Sequence, residues 1–235
     1  MTTRKRISLI ALLSIFVVGI LAPTAEAAAS RYITVSAQGT VKVVPDAVRI
    51  NATATSIAPS SKEALAATSK TANAIRAVLK SAKIDAKDIA TQSVTVYPEY
   101  KYSNDGSSTL TGYRGSQSFT IIVRAADTAG TLVDSIVSAA DDNVQINGAT
   151  PFVLDSTKSL EAARAAAVKS AKAKAISYAQ LMGVKLGKIN YLVENSSPAN
   201  YTPVMAVAKT ESDATVIDLG QQDVSISVTV QWSLL

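Results

Sequence analysis

Val224, Ile226, Val228, Val230, Trp232 and Leu234 hold every second position of the C-terminal segment, with Ser225, Ser227, Thr229 and Gln231 between them. Successive side chains of a strand point to opposite faces, so this alternation describes a strand buried on one side and wetted on the other. Such a strand cannot stand alone. It needs neighbours to satisfy its backbone and a second layer to cover its apolar face. The fold therefore turns on which segments supply them.

The same period recurs at Ile33, Val35, Ala37, Val41 and Val43, interrupted by Gly39, which predicts a strand with a bulge or bend at the glycine. After Pro45-Asp46, Val48, Ile50, Ala52 and Ala54 predict a second strand. Pro59 and the capping box Ser60-x-x-Glu63 then open a helix, with Leu65, Thr68, Ala72, Ile75, Leu79 and Ala82 as its buried stripe. Val94 and Val96 lead out to the turn Asn104-Asp105-Gly106, and Phe119, Ile121 and Val123 lead back. A shorter helix after Asp127 carries Leu132, Val133, Ile136, Val137 and Ala140, and a strand through Val144 and Ile146 follows. Residues 46–154 thus read strand, helix, strand, strand, helix, strand, the ferredoxin-like order.

A long helix from about Ser156 to Met182, closed by Gly183, comes next. Its stripe is Leu160, Ala163, Ala167, Ala171, Ala175, Tyr178 and Met182, and the alanines predict close packing on a sheet. With the strand at Ile189, Tyr191 and Val193 and the closing strand, this remainder has too few strands for a sheet of its own. Borrowing residues 31–45 completes it. The expected fold is α+β: two two-layer sandwich units with helices on one face of mainly antiparallel sheets. They comprise 46–154 and a discontinuous unit of 31–45 and 155–235. Between Ser196 and Asp223 no periodicity is evident, and the apolar run within that loop predicts that part of it docks.

Residues 1–29 have the charged, apolar and small-residue order of a signal peptide: Arg4-Lys5-Arg6, an uncharged run from Ile7 to Ala25, then the alanines. The expectation is export to the periplasm, the cell envelope or the medium, with membrane contact through the leader alone if it is kept. Without the leader, 20 basic residues face 17 acidic ones, which does not point to nucleic acid. The chain has no histidine and no cysteine. That excludes a Ser-His-Asp triad, a cysteine nucleophile, disulfides and a nitrogen- or sulfur-ligated zinc site. Asp141-Asp142-Asn143 lacks the glycine and glutamate of a calcium loop, no Ser-x-x-Lys spacing occurs, and Glu63, Glu99, Glu161 and Glu194 are scattered. We expect no enzyme, no cofactor and no metal site.

Four of the eight tyrosines fall in "YPEYKYSNDGSSTLTGYRG". Tyr97, Tyr100, Tyr102, Tyr113 and Arg114 form the candidate interaction surface, suited to an envelope protein, a glycan or a small anionic ligand. The plainer alternative is that these tyrosines cover their cross-strand neighbours in a hairpin. Lys158, Lys169 and Lys172 share a helical face near Lys185 and Lys188, read as a solvated face or as a contact for anionic lipid.

The segments "ITVSAQGTVKVVPDAVRI", "DIATQSVTVYPEY", "GYRGSQSFTIIV", "AKAKAISYAQLMGVKLGKINYLVE" and "VSISVTVQWSL", in that order, resemble the SIMPL-domain family over 31–235. Departures are Ala37-Gln38-Gly39, where an acidic or glycine-rich pair is usual, and Gly220-Gln221 in place of Gly-Glu. The resemblance implies a non-enzymatic, cofactor-free α+β protein of the bacterial envelope. It also implies homo-oligomers, ring-shaped in some members, and a part in envelope or oxidative-stress defence. It supplies no catalytic residues.

Overall fold

The structure is a computed structural model that describes residues 31–104, 106–195, 203–204 and 214–235. The expected leader at 1–29, Asp105 of the expected turn and much of the loop between Ser196 and Asp223 lie outside these residues.

Strand β1 (Tyr32–Val43) leads into β2 (Ala47–Ala58), α1 (Ser61–Ser81), β3 (Ile89–Tyr102), β4 (Ser108–Val123), α2 (Ala129–Ala140) and β5 (Val144–Phe152). Helix α3 (Thr157–Leu181), β6 (Leu186–Asn195), β7 (Pro203–Val204) and β8 (Gln221–Leu234) complete the chain. One antiparallel sheet has the order β3-β4-β2-β5, and α1 and α2 cover one of its faces. That order, with its βαββαβ connectivity, is the ferredoxin-like arrangement expected for residues 46–154. The other sheet has β8 between β1 and β6, with β7 beyond β6 along the same side of β8. Strand β8 therefore finds both candidate neighbours at once. Two α-on-β layers result, each with its own core.

In the first core, Val48, Ile50, Phe119, Ile121 and Val123 of the sheet meet Ile75 and Leu79 of α1 and Leu132 and Ile136 of α2. Ser60 caps α1: its hydroxyl accepts from the Glu63 amide and donates to the Glu63 carboxylate at 2.8 Å. The α1 stripe is Ala64, Thr68, Ala72, Ile75 and Leu79, whereas Leu65 and Ala82 face solvent. In the second core, Val224, Ile226, Val228, Val230 and Trp232 pack on Ala163, Ala167, Ala171 and Ala175.

Two further expectations change here. Gly39 marks no bulge, because β1 and β8 pair without a break from Tyr32 opposite Ser233 to Val43 opposite Gln222. The glycine instead admits the backbone of α3: a Cβ there would overlap the Ala163 oxygen and the Ala167 nitrogen. The α3 stripe continues to Ala179, leaving Tyr178 and Met182 exposed. At 3.6 residues per turn the buried line of an alanine helix drifts, and only a side chain as small as alanine fits so near a sheet.

The described end of the long loop ties the layers together. Thr215 donates its amide (3.1 Å) and its hydroxyl to the Asp134 carboxylate on α2, and Ile217 and Leu219 pack against the first core. Those hydrogen bonds hold the Asp134 carboxyl below its ordinary value. The Gln222 side-chain amide donates to the Pro151 carbonyl at 2.7 Å. Docking is expected of the apolar run; its first residue, Val204 of β7, pairs with Gln221 of β8, and the rest of the run lies outside the described residues.

Candidate functional site

The tyrosine-bearing segment is the hairpin of β3 and β4. Strand β2 accompanies β4 only as far as the Ala58–Tyr113 pair, so residues beyond Tyr113 stand clear of the sheet as a two-stranded arm. The arm closes where the Ser103 amide bonds Ser107 O at 2.9 Å, with Gly106 at φ 82°. Such positive φ suits glycine.

Pairing assigns each candidate residue to a face. Tyr97 lies opposite Arg114, and Pro98 opposite Tyr113. Alternation along β3 puts Tyr100 and Tyr102 on the side of Pro98 and Tyr113, and Tyr97 with Arg114 on the other. The five residues therefore do not converge on one patch. Tyr102 is 77% exposed, Tyr97 60% and Tyr100 45%, while Tyr113 is half-buried. Leu110, opposite Tyr100, is also exposed and makes an apolar cluster with it on one side of the arm.

Arg114 is engaged within the chain. Its Nε–H and Nη2–H donate to the two Glu99 carboxylate oxygens at 2.8 and 2.9 Å, a bidentate pair. These bonds hold the Glu99 carboxyl below its ordinary value and raise the guanidinium's. A small anionic ligand would have to compete with Glu99 for this cation.

The other end of the same hairpin has a matching clamp that the sequence did not reveal. Arg124 donates to both oxygens of Asp88 at 2.7 and 2.8 Å, and the Asp88 side chain is only 6% exposed. The hydrogen bonds from Arg124 depress the Asp88 carboxyl against the opposing effect of burial. Third, Arg164 of α3 holds Glu194 of β6 at 2.6 and 3.2 Å. The scattered carboxylates Glu99 and Glu194 are thus partners of arginines from other elements.

Strand β6 presents a second surface that periodicity misread. Leu192 pairs with Val230 on the α3 side, and Tyr191 and Val193 pair with Gln231 and Thr229 on the other. Ile189, Tyr191, Leu192 and Val193 are all exposed, and so are Leu181 and Met182 at the end of α3. The unbroken apolar run Tyr191-Leu192-Val193 was the available signal, since a strand with one wet face would alternate. Lys158, Lys169, Lys172, Lys185 and Lys188 are exposed. Among the described residues no group of three or more acidic side chains is placed to hold a metal ion, and no helix is long and apolar enough to cross a membrane.

The sequence is 29% identical over 229 residues to the uncharacterized protein YggE of Edwardsiella ictaluri, covering 92% of each chain. It is 27% identical over 213 residues to the 26 kDa periplasmic immunogenic protein of Brucella melitensis, covering 86% of this chain and 84% of that one. YggE of Escherichia coli K12 is 29% identical over 208 residues, covering 86% and 81%. Residues 33–232 match the SIMPL family, described as a protein of unknown function (DUF541), and span both sheets and the three α-helices of the described residues: the chain belongs to the SIMPL family.

Proposed function

We propose that this protein is exported to the periplasm or cell envelope and acts there without catalysis, by associating with copies of itself and with envelope proteins. The observation that carries this reading is the exposed apolar side chains on the α3 side of β6 and at the end of α3: Ile189, Leu192, Leu181 and Met182. Large exposed apolar groups gathered in one region mark interaction surfaces. The name of the Brucella relative supports the compartment, as does the leader-like N-terminus. Light scattering on the purified protein tests the association. The expected result is a mass of several chains that Ile189→Lys combined with Leu192→Lys reduces. A strictly monomeric species at micromolar concentrations overturns it.

A second reading, binding of an envelope glycan, draws on Tyr100 and Tyr102, whose exposed rings on the arm suit stacking against sugars. It predicts that Tyr102→Ala weakens retention on envelope polysaccharide without altering the melting temperature.

A further inference from the structure

Among the described residues the two sheets have four edges, and three of them are blunted. Strand β3 contains Pro98 and two irregularities in its pairing. Strand β5 contains Pro151 and leaves Asn147 out of register, and β6 has two breaks in its ladder and carries Lys188 and Glu194. Proline, bulges and charges are the devices that keep a sheet edge from pairing further. Strand β1 has none of them over its length. It runs twelve residues in unbroken register, without proline, and its one charge, Lys42 near the end, is paired with Asp223.

Its outer edge can be assigned. In an antiparallel pair the N–H and C=O of one residue point to the same side, and the side alternates along the strand. The Arg31 carbonyl accepts from the Leu234 amide, so odd-numbered residues face β8. The Ser36 carbonyl points away and accepts from Lys174 Nζ at 3.3 Å. Thr34, Ser36, Gln38 and Thr40 therefore direct their backbone groups outward, and among the described residues β1 pairs with β8 alone. Beside this edge lies a groove of about 400 Å³ between β1 and α3, lined by Thr34, Val35, Ser36, Lys174, Ser177 and Tyr178.

We propose that the β1 edge takes up an extended, acidic peptide segment of a partner protein as an added strand, with Lys174 leaving Ser36 to meet a carboxylate of that segment and Tyr178 covering its side chains. Strand addition draws affinity from main-chain hydrogen bonds and selectivity from neighbouring side chains. The sign of the charge selects the occupant. Helix α3 carries Lys158, Lys169, Lys172 and Lys174 against Glu161, its Arg164 being paired with Glu194. A second copy joined edge to edge would bring two such helices together on one face of the sheet, like charge against like, whereas an acidic strand meets opposite charge. This site is separate from the apolar surface of β6.

The test uses two fluorescein-labelled decapeptides of alternating valine and threonine, one with three threonines replaced by glutamate and the other by lysine. Anisotropy should show saturable binding of the acidic peptide, tighter than the basic one by up to about fivefold, the scale of one exposed ion pair. Amide exchange at Thr34, Ser36 and Gln38 should slow on its addition. Lys174→Glu should reverse the preference. Gln38→Pro, which removes an outward N–H without touching the β8 ladder, should abolish binding. Equal affinity for both peptides, no binding below millimolar concentration, or slowed exchange that appears on raising protein concentration without peptide overturns the proposal. The exchange measurement on the unaltered protein decides the matter even if Gln38→Pro fails to fold.

Discussion

Gly39 of β1 lies directly against Ala163 of α3, so close that a methyl group on the glycine would overlap the alanine's carbonyl oxygen. The obstruction is helix backbone, which cannot swing aside as a long side chain can. Gly39→Ala should lift α3 from the sheet and cost about 1–3 kcal/mol, the usual range for overpacking. Trp232 is the chain's single tryptophan and sits in that core. Urea unfolding followed by its fluorescence should show the loss, and an unchanged midpoint would mean that the helix does not approach this closely.

The Asp88–Arg124 clamp predicts a pH dependence. The folded-state pKa of Asp88 is depressed below its ordinary 3.8, so the pair's stabilisation is present above that value and is lost as pH falls through the lower folded value. Asp88→Asn should melt below the parent at pH 7, and the gap should narrow as the pH falls below 3.8. Thermal melts across that range test it. A gap that stays constant with pH would assign the effect to something other than the carboxylate's charge.

Strand β8 is bonded to both β1 and β6, so its removal leaves two strands without partners and bares the alanine face of α3. Deleting Asp223–Leu235 should abolish the fold of this layer. The milder Trp232→Ala should cost about 3–5 kcal/mol, as truncation of a buried aromatic does. Circular dichroism during denaturation is the readout. A truncated chain that keeps its full cooperative transition would show that β8 is not core.

The Thr215–Asp134 contact should anchor the described end of the long loop. Asp134→Ala removes the acceptor of both Thr215 bonds and should speed amide exchange at Thr215 and its neighbours, with Ile217 and Leu219 loosened from the first core. Exchange rates equal to the parent's would place the anchor in the apolar contacts alone.

Tyr102→Ala and Tyr100→Ala should leave the melting temperature within about 0.5 kcal/mol of the parent in stability terms, because both rings are exposed. A large loss would mean that the arm is structural.

Local pattern carried the elements and most of their order. The alternation at Val224–Leu234, the capping box at Ser60 and Glu63 and the glycine after Met182 act within a few residues, so a linear sequence displays them. The βαββαβ run allowed few sheet orders, because connections are short and each apolar face needs one cover. Three-dimensional proximity decided the rest. Whether Gly39 bends a strand or admits a helix depends on Ala163, more than 120 residues away. The tyrosines read as one cluster because they are near in sequence, yet strand alternation sends Tyr97 and Tyr100 to opposite faces. Arg114 read as available for a ligand until pairing placed Glu99 on the same face of the hairpin. The edge of β1 left unpaired among the described residues was invisible for the same reason. A strand's sequence shows which face is apolar, but its backbone donors and acceptors are identical at every residue, so only the assembled sheet decides which edge is left open.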